Sequence, residues 1–239
     1  MNALRMKTRL AACARKTTFA LALGTAMVAA PAMASTFKLQ STTVILEEKE
    51  GRSSFNVTNT GNEPILLLTK VEDLDDANFA GNILITPAVT RIDPGQSQIV
   101  NFSLKKGVTT NREHMLKASF EGVTQRAESG MKMPLRQQIG FIVQPKSVPV
   151  VPKPWEDLRI SKKDGKVEIA NTGKHVVRLG PAITLQPSGV VVPLANAYIM
   201  PGDSVMADPQ GQAVGTEVQI TPMSRYGFVQ APAVLTVSQ

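Results

Sequence analysis

Met131-Lys132-Met133-Pro134-Leu135-Arg136-Gln137-Gln138-Ile139-Gly140-Phe141-Ile142-Val143 is the stretch on which the fold class turns. Its odd positions are apolar in six of seven places, Gln137 being the exception, while its even positions hold Lys132, Pro134, Arg136, Gln138 and Gly140 beside a single apolar Ile142. Successive side chains of an extended chain point to opposite faces, so this period of two is the pattern of a β-strand with one buried face. At ~3.3 Å per residue the segment would extend roughly 40 Å, about twice a common strand. Pro134 has no N–H to give a neighbouring strand, which places it on an edge. A long exposed edge with an apolar row is an aggregation hazard, and addition to a partner's sheet is one reason to keep it. Alternatively, Met131, Met133 and Leu135 finish the core of their own sandwich.

Outward from this strand the chain keeps the same texture. Short β-branched and apolar runs recur at Thr42 to Leu46, Ser53 to Asn59, Ile65 to Glu72, Ile83 to Thr86, Val89 to Ile92, Ser97 to Leu104 and Met115 to Phe120. Beyond residue 155 they continue at Leu158 to Ser161, Lys166 to Ala170, Val176 to Leu185, Val190 to Leu194, Tyr198 to Met200, Thr216 to Thr221 and Val234 to Val237. Turn chemistry separates them: Thr60-Gly61-Asn62, Asp93-Pro94-Gly95, Asn171-Thr172-Gly173 and Pro201-Gly202-Asp203. No long stretch repeats apolar residues at helical spacing, so the class is all-β.

Between the two groups lies Pro145-Lys146-Ser147-Val148-Pro149-Val150-Val151-Pro152-Lys153-Pro154, whose four prolines fit neither a central strand nor a helix. It reads as a semi-rigid linker dividing residues 35–147 from 148–239, each a usual size for a sandwich domain. Two tandem antiparallel sandwiches are expected, with one large barrel as the alternative.

The N-terminus reads differently. Arg5, Lys7, Arg9, Arg15 and Lys16 precede the apolar run Phe19 to Ala30 and the small-residue exit Ala32-Met33-Ala34. That order is a secretory signal peptide, residues 1–34, with cleavage expected after Ala34 and export of the remainder. Its apolar core is too short to span a bilayer, so the mature protein is not expected to be membrane-embedded. Five of the seven net positive charges belong to the leader, which leaves +2 for the remainder and no case for nucleic-acid binding. Cys13, the only cysteine, also lies there, excluding an internal disulfide or thiol chemistry after cleavage.

The residue supply argues against an enzyme. His114 and His175 are the only histidines and fall in different expected domains, which leaves little for a catalytic triad or a histidine metal site. G-x-S-x-G, phosphate-loop and dinucleotide fingerprints are absent from the sequence. No cofactor, catalytic residue or metal is expected. Glu47-Glu48-Lys49-Glu50 and Asp73, Asp75 and Asp76 read as solvated charges beside turns, with calcium a weaker second reading. Trp155 is expected to bury the domain junction, and Tyr198 and Tyr226 to serve core or interface.

Pro87-Ala88-Val89-Thr90-Arg91-Ile92-Asp93-Pro94-Gly95 with the alternating run to Leu104, then Asn111-Arg112-Glu113, the long alternating strand and Asn171-Thr172-Gly173, resemble in order and spacing the periplasmic chaperones of chaperone–usher pilus assembly. The resemblance runs from about residue 37 to 237. It implies two immunoglobulin-like domains in a boomerang arrangement. It also implies a function: binding and capping pilus subunits by donating an edge strand, then delivery to an outer-membrane usher.

Carried over by position, the donor side chains are Met131, Met133, Leu135 and Ile139, with Ile139 nearer this protein's own core, as is Phe141. The family's usual Arg and Lys, which hold a subunit's terminal carboxylate, fall at Thr43 and Gly140 here, and neither carries charge. Arg91, Arg136 and Lys146 are candidate substitutes. The family's interdomain contact maps to Glu113, Gln144 and Arg225, where a direct Glu113–Arg225 pair is expected. Two other readings stay open. A pilin- or adhesin-like subunit would usually bring a free N-terminal extension and often a disulfide. A periplasmic carbohydrate-binding module would want several exposed aromatics, against an aromatic content of 5%.

Overall fold

The structure, a computed structural model, describes residues 37–74, 78–124 and 134–238. The first nine strands are β1 (Phe37–Leu39), β2 (Thr43–Glu47), β3 (Arg52–Asn59), β4 (Ile65–Asp73), β5 (Ile83–Thr86), β6 (Val89–Ile92), β7 (Ser97–Leu104), β8 (His114–Thr124) and β9 (Leu135–Gln144). They form a four-stranded sheet in the order β1-β3-β7-β5 and a five-stranded sheet in the order β2-β9-β8-β4-β6. Alternation explains the layering: in β4, Ile65, Leu67 and Thr69 are buried and the residues between them are not. The inner faces meet on Phe55, Phe102, Phe120 and Phe141, with Phe55 and Phe120 centroids 5.3 Å apart and Phe102 edge-on to Phe141 at 5.2 Å. Burying each such side chain stabilises the sandwich by about 1.5–3 kcal/mol before entropy is counted.

A 3-10 turn at Pro154–Asp157 then leads into ten further strands. These are β10 (Leu158–Lys163), β11 (Lys166–Asn171), β12 (Val177–Leu179), β13 (Ala182–Gln186), β14 (Val191–Pro193), β15 (Tyr198–Ile199), β16 (Ser204–Ala207), β17 (Glu217–Ile220), β18 (Pro222–Met223) and β19 (Ala233–Ser238). One sheet has the order β14-β13-β17-β19-β10-β11-β16 and the other β15-β12-β18. A separate core of Ile160, Val167, Ile169, Leu185, Val218 and Ile220 lies within this second part. Two distinct cores set aside the single barrel and establish two immunoglobulin-like sandwiches in an all-β chain.

Two expectations need correction. The run Val176 to Leu185 is not one strand: Gly180-Pro181 breaks it, sending β12 to the three-stranded sheet and β13 to the seven-stranded one. Pro181 has no N–H to continue a ladder, and Gly180 N–H donates instead to the Thr221 carbonyl at 2.7 Å. Trp155 does not fill the domain junction; it packs into the second core beside Leu158 and Ile160.

Each sandwich also contains the same buried corner. Asn59 donates from Nδ2 to the carbonyls of Glu63 and Ile92 and accepts Gly61 N–H on Oδ1. Asn171 donates to His175 and Ile199 carbonyls and accepts Gly173 N–H. Both asparagines are essentially inaccessible, and each backbone carbonyl receives an N–H from a Pro-Gly turn, Gly95 in one case and Gly202 in the other. Those two glycines sit at φ of +73° and +87°, the left-handed region where a side chain is strained. A buried amide with its donors and acceptor all used fixes the turn and joins the two sheets at that corner.

Candidate functional site

β9 is the strand with an incomplete partnership. On one side it pairs antiparallel with β8 along most of its length, from Leu135↔Gly122 to Val143↔His114. On the other it pairs with β2, in parallel, only from Thr43↔Gly140 to Glu47↔Gln144. The backbone of residues 135–139 therefore has no strand on its outer side among the described residues. Leu135 and Ile139 are partly buried and pack against the first core. Arg136 and Gln138, on the alternate face, reach back to β8: Arg136 Nε is 2.8 Å from Glu121 Oε2 and Gln138 Nε2 is 3.2 Å from Ser119 Oγ. Met131 and Met133 lie outside the described residues.

A groove of about 680 Å³ opens beside this free edge, lined among others by Phe37, Leu39, Thr42, Ile139 and Phe228. Phe228 comes from the second sandwich and is 67% exposed, next to Val229 at 66% and Tyr226 at 46%. Thr42 Oγ1 donates to the Tyr226 carbonyl at 2.6 Å, tying this apolar loop to the mouth of the groove.

At the inner end of the free edge, Thr43 and Gly140 are direct register partners. Neither is charged. Instead Arg178, from β12 of the second sandwich, donates from Nη1 to Thr43 Oγ1 at 3.0 Å and to the Arg225 carbonyl at 2.9 Å. Burial holds its pKa below the ordinary guanidinium value. The three substitutes considered from sequence are placed otherwise. Arg91 pairs with Asp93 at 2.8 Å and Arg136 with Glu121, while Lys146 is exposed with its backbone N–H on Glu48.

The junction between the sandwiches is built on Glu113. This carboxylate is 3% exposed, accepts Val176 N–H at 2.9 Å, and stands 3.5 Å from Arg225 Nη2. The same Nη2 donates to Gln144 Oε1 at 2.7 Å, and Gln144 Nε2 donates to the Val148 carbonyl at 2.6 Å. Burial pushes the Glu113 pKa up, against the opposing pull of Val176 N–H, Arg225 and His175. Met115, Ile142, Val176 and Met200 make a small apolar cluster alongside, with Tyr198 packed on it. Arg112 Nη1 donates to the Pro201 carbonyl at 2.9 Å, and His175 Nε2 lies 2.8 Å from the Pro149 carbonyl. Glu113, Gln144 and Arg225 are thus brought together in one network.

Sequence reasoning missed Arg178 and Phe228. The signal for Arg178 was a lone cation inside the apolar run Val176-Val177-Arg178-Leu179, three of whose members are buried. A charge in such a run is either paired or waiting for a partner. Phe228 carried no periodic signal, since it sits in a loop.

Residues 36–149 match the family described as "Pili and flagellar-assembly chaperone, PapD N-terminal domain". The chain is 30% identical over 191 residues to the uncharacterized fimbrial chaperone YhcA of Escherichia coli strain K12, covering 79% of this chain and 85% of that protein. Among solved structures it is similar to the Salmonella enterica SafB chaperone in its complex with the SafA pilin (TM-score 0.70, 19% identity, 84% of this chain and 95% of that one). It is similar also to the Pseudomonas aeruginosa CupB2 chaperone (TM-score 0.67, 19% identity, 84% and 100%). The open edge of β9, the cleft beside it and the likeness to YhcA over most of both chains place this protein together: it belongs to the PapD-like periplasmic chaperones of pilus assembly, a family of binding proteins and not of enzymes.

Proposed function

We propose that this chain captures incomplete pilus subunits in the periplasm by adding β9 to their unfinished sandwich, keeps them folded and capped, and passes them to an outer-membrane usher. The observation that carries the reading is the one-sided pairing of residues 135–139, a row of backbone donors and acceptors with no strand on their outer side among the described residues, beside an apolar groove. Strand addition uses those backbone groups for affinity and alternate side chains for pockets. Met131, Met133, Leu135 and Ile139 are the donor row. Glu113, Gln144 and Arg225 hold the two domains, residues 35–147 and 148–239, at a fixed setting, and residues 1–34 are the export leader. Binding of subunits is supported by likeness to chaperones solved with their subunits, SafB with SafA and CsuC with the tip adhesion subunit CsuE.

Co-secretion tests it. The protein and each pilin-like subunit of the source genome, expressed together with leaders intact, should copurify from the periplasm as an equimolar complex. A subunit that is equally soluble and equally abundant without this protein would overturn the reading.

A further inference from the structure

Gln137 interrupts an otherwise apolar row. Every other odd position from 131 to 143 is apolar in the sequence. Gln137 lies on the same strand face as Leu135 and Ile139, half-buried, with Phe120 as its partner on β8. Its Nε2 donates to the Phe37 carbonyl at 2.9 Å, which ties the start of β1 to β9. That bond uses one of the two amide hydrogens and neither lone pair of Oε1. Oε1 accepts no hydrogen bond among the described residues, and the side chain lines the groove beside the open edge together with Phe37 and Ile139.

An apolar row cannot by itself fix how a guest strand lines up. Side chains alternate with a period of two, so sliding a guest by one residue turns its apolar set to the wrong face, while sliding it by two returns each side chain to an equivalent place. β2 blocks the slide in one direction, because it covers the outer edge of β9 from Gly140 onward. In the other direction residues 135–139 meet no such stop among the described residues. A polar group in the row breaks the equivalence. A strand laid along the groove removes water from Gln137 Oε1, and an acceptor dried without a donor costs roughly tenfold or more in population. A pairing that brings a donor to Oε1 is therefore favoured over the pairing two residues away, as a single polar residue selects register in a coiled coil.

We propose that Gln137 sets the register of a captured subunit's strand on β9, its amide oxygen receiving a hydrogen bond from the guest in one pairing and left dry in the pairing two residues away. The proposal rests on the strand-addition reading. Gln137 is a positioning residue in it: the apolar neighbours and the open backbone edge hold the guest, and the amide decides where along the strand it is held.

Disulfide trapping reads the register directly. Cys13 is the only cysteine of the chain and lies within residues 1–34, so Gln138→Cys puts a single thiol on β9 itself. The guest is a pilin-like subunit of the source genome that copurifies with this protein, carrying single cysteines walked along the strand that cross-links. Same-face neighbours stand ~6.6–6.8 Å apart along a strand, whereas a disulfide needs Cβ atoms ~3.5–4.5 Å apart, so the two registers are resolved. With Gln137 in place one guest position should dominate. Gln137→Met, similar in length and without an amide, should divide the product about evenly between that position and the one two residues away, because a roughly tenfold preference is lost. Gln137→Glu keeps acceptor oxygens but cannot donate to the Phe37 carbonyl, and it should keep the single position. An unchanged single position in Gln137→Met overturns the proposal. A divided product in Gln137→Glu overturns it as well, assigning the effect to the tie with Phe37. So does a Gln137→Met protein that captures no guest, since Gln137 would then supply affinity and not register. A guest that copurifies with the Gln138→Cys protein but cross-links from no position would remove strand addition itself, a different result.

Discussion

Arg225 donates to Gln144 at 2.7 Å across 81 residues of sequence, joining the last residue of β9 to a loop of the second sandwich. The same nitrogen lies 3.5 Å from Glu113. The end of β9 and the contact between the two sandwiches therefore share one guanidinium. Arg225 side-chain exposure is 23% and Glu113 3%, so their attraction is less screened than that of a surface pair. In a double-mutant cycle with Glu113→Gln and Arg225→Met, read by urea unfolding, the coupling should be about 1–2 kcal/mol. Additive losses would mean that the two groups act independently.

The Glu113 carboxyl makes a signed prediction about pH. Burial raises its folded-state pKa above the ordinary 4.5, so the folded protein binds this proton more tightly than the unfolded chain does. Its contribution to stability is complete below about 4.5 and is lost as pH rises through the raised value. Relative to Glu113→Gln, which does not titrate, the wild type should lose stability as pH climbs from 4 toward neutrality. Thermal melts of both proteins at unit steps from pH 4 to 8 measure the difference. A wild type that gains on the variant with rising pH would show that Arg225 and Val176 N–H outweigh burial.

The paired asparagine corners predict matched losses. Asn59→Ala leaves the Glu63 and Ile92 carbonyls without their donor, and Asn171→Ala does the same to His175 and Ile199. Each unsatisfied buried group costs about 1–3 kcal/mol. Either change should lower stability by roughly 2–4 kcal/mol. Denaturant unfolding of each variant checks this, and a loss below 1 kcal/mol at either site would deny the corner its structural part.

Much of the fold was legible because the physics behind it is local. Alternation over residues 65–72 and 97–104 marks half-buried strands, and β4 and β7 lie there with ends shifted by at most one residue. What escaped depends on contacts distant in sequence. β1, β16 and β18 have two to four residues each and are strands only because a neighbour pairs with them. The split at Gly180-Pro181 was readable from Pro181, whose lack of an N–H outweighs the apolar run around it. At the site, the Glu113, Gln144 and Arg225 positions followed from a resemblance in order and spacing. The guanidinium facing Thr43 did not, since it reaches that position from 135 residues downstream, in the other sandwich.

Residues 1–34, proposed above as an export leader, make a mass prediction. Periplasmic protein should begin at Ser35, and intact-mass measurement should show the loss of residues 1–34. A retained leader would contradict export by signal cleavage.

Leu135 and Ile139 separate donor from core. Both pack against the first core while lying on the stretch whose outer backbone edge is open, but only Ile139 among them lines the groove beside Phe37 and Phe228. It also stands one residue from Gly140, where β2 begins to cover the strand. Leu135 is at the other end, opposite Gly122, where β9 starts. An Asp at position 139 would put a carboxylate against the core and cost about 2–4 kcal/mol or more of domain stability, as buried unpaired polar groups do. At position 135 the same change should cost well under half of that, because a strand end can move its side chain toward solvent. Subunit capture should nevertheless fall sharply for Leu135→Asp, since a guest groove that accepts leucine leaves the carboxylate unpaired. Circular dichroism melts alongside periplasmic copurification give both readouts. Leu135→Asp that remains folded and still captures a subunit would remove Leu135 from the donor row, and equal melting losses at the two positions would return it to the core.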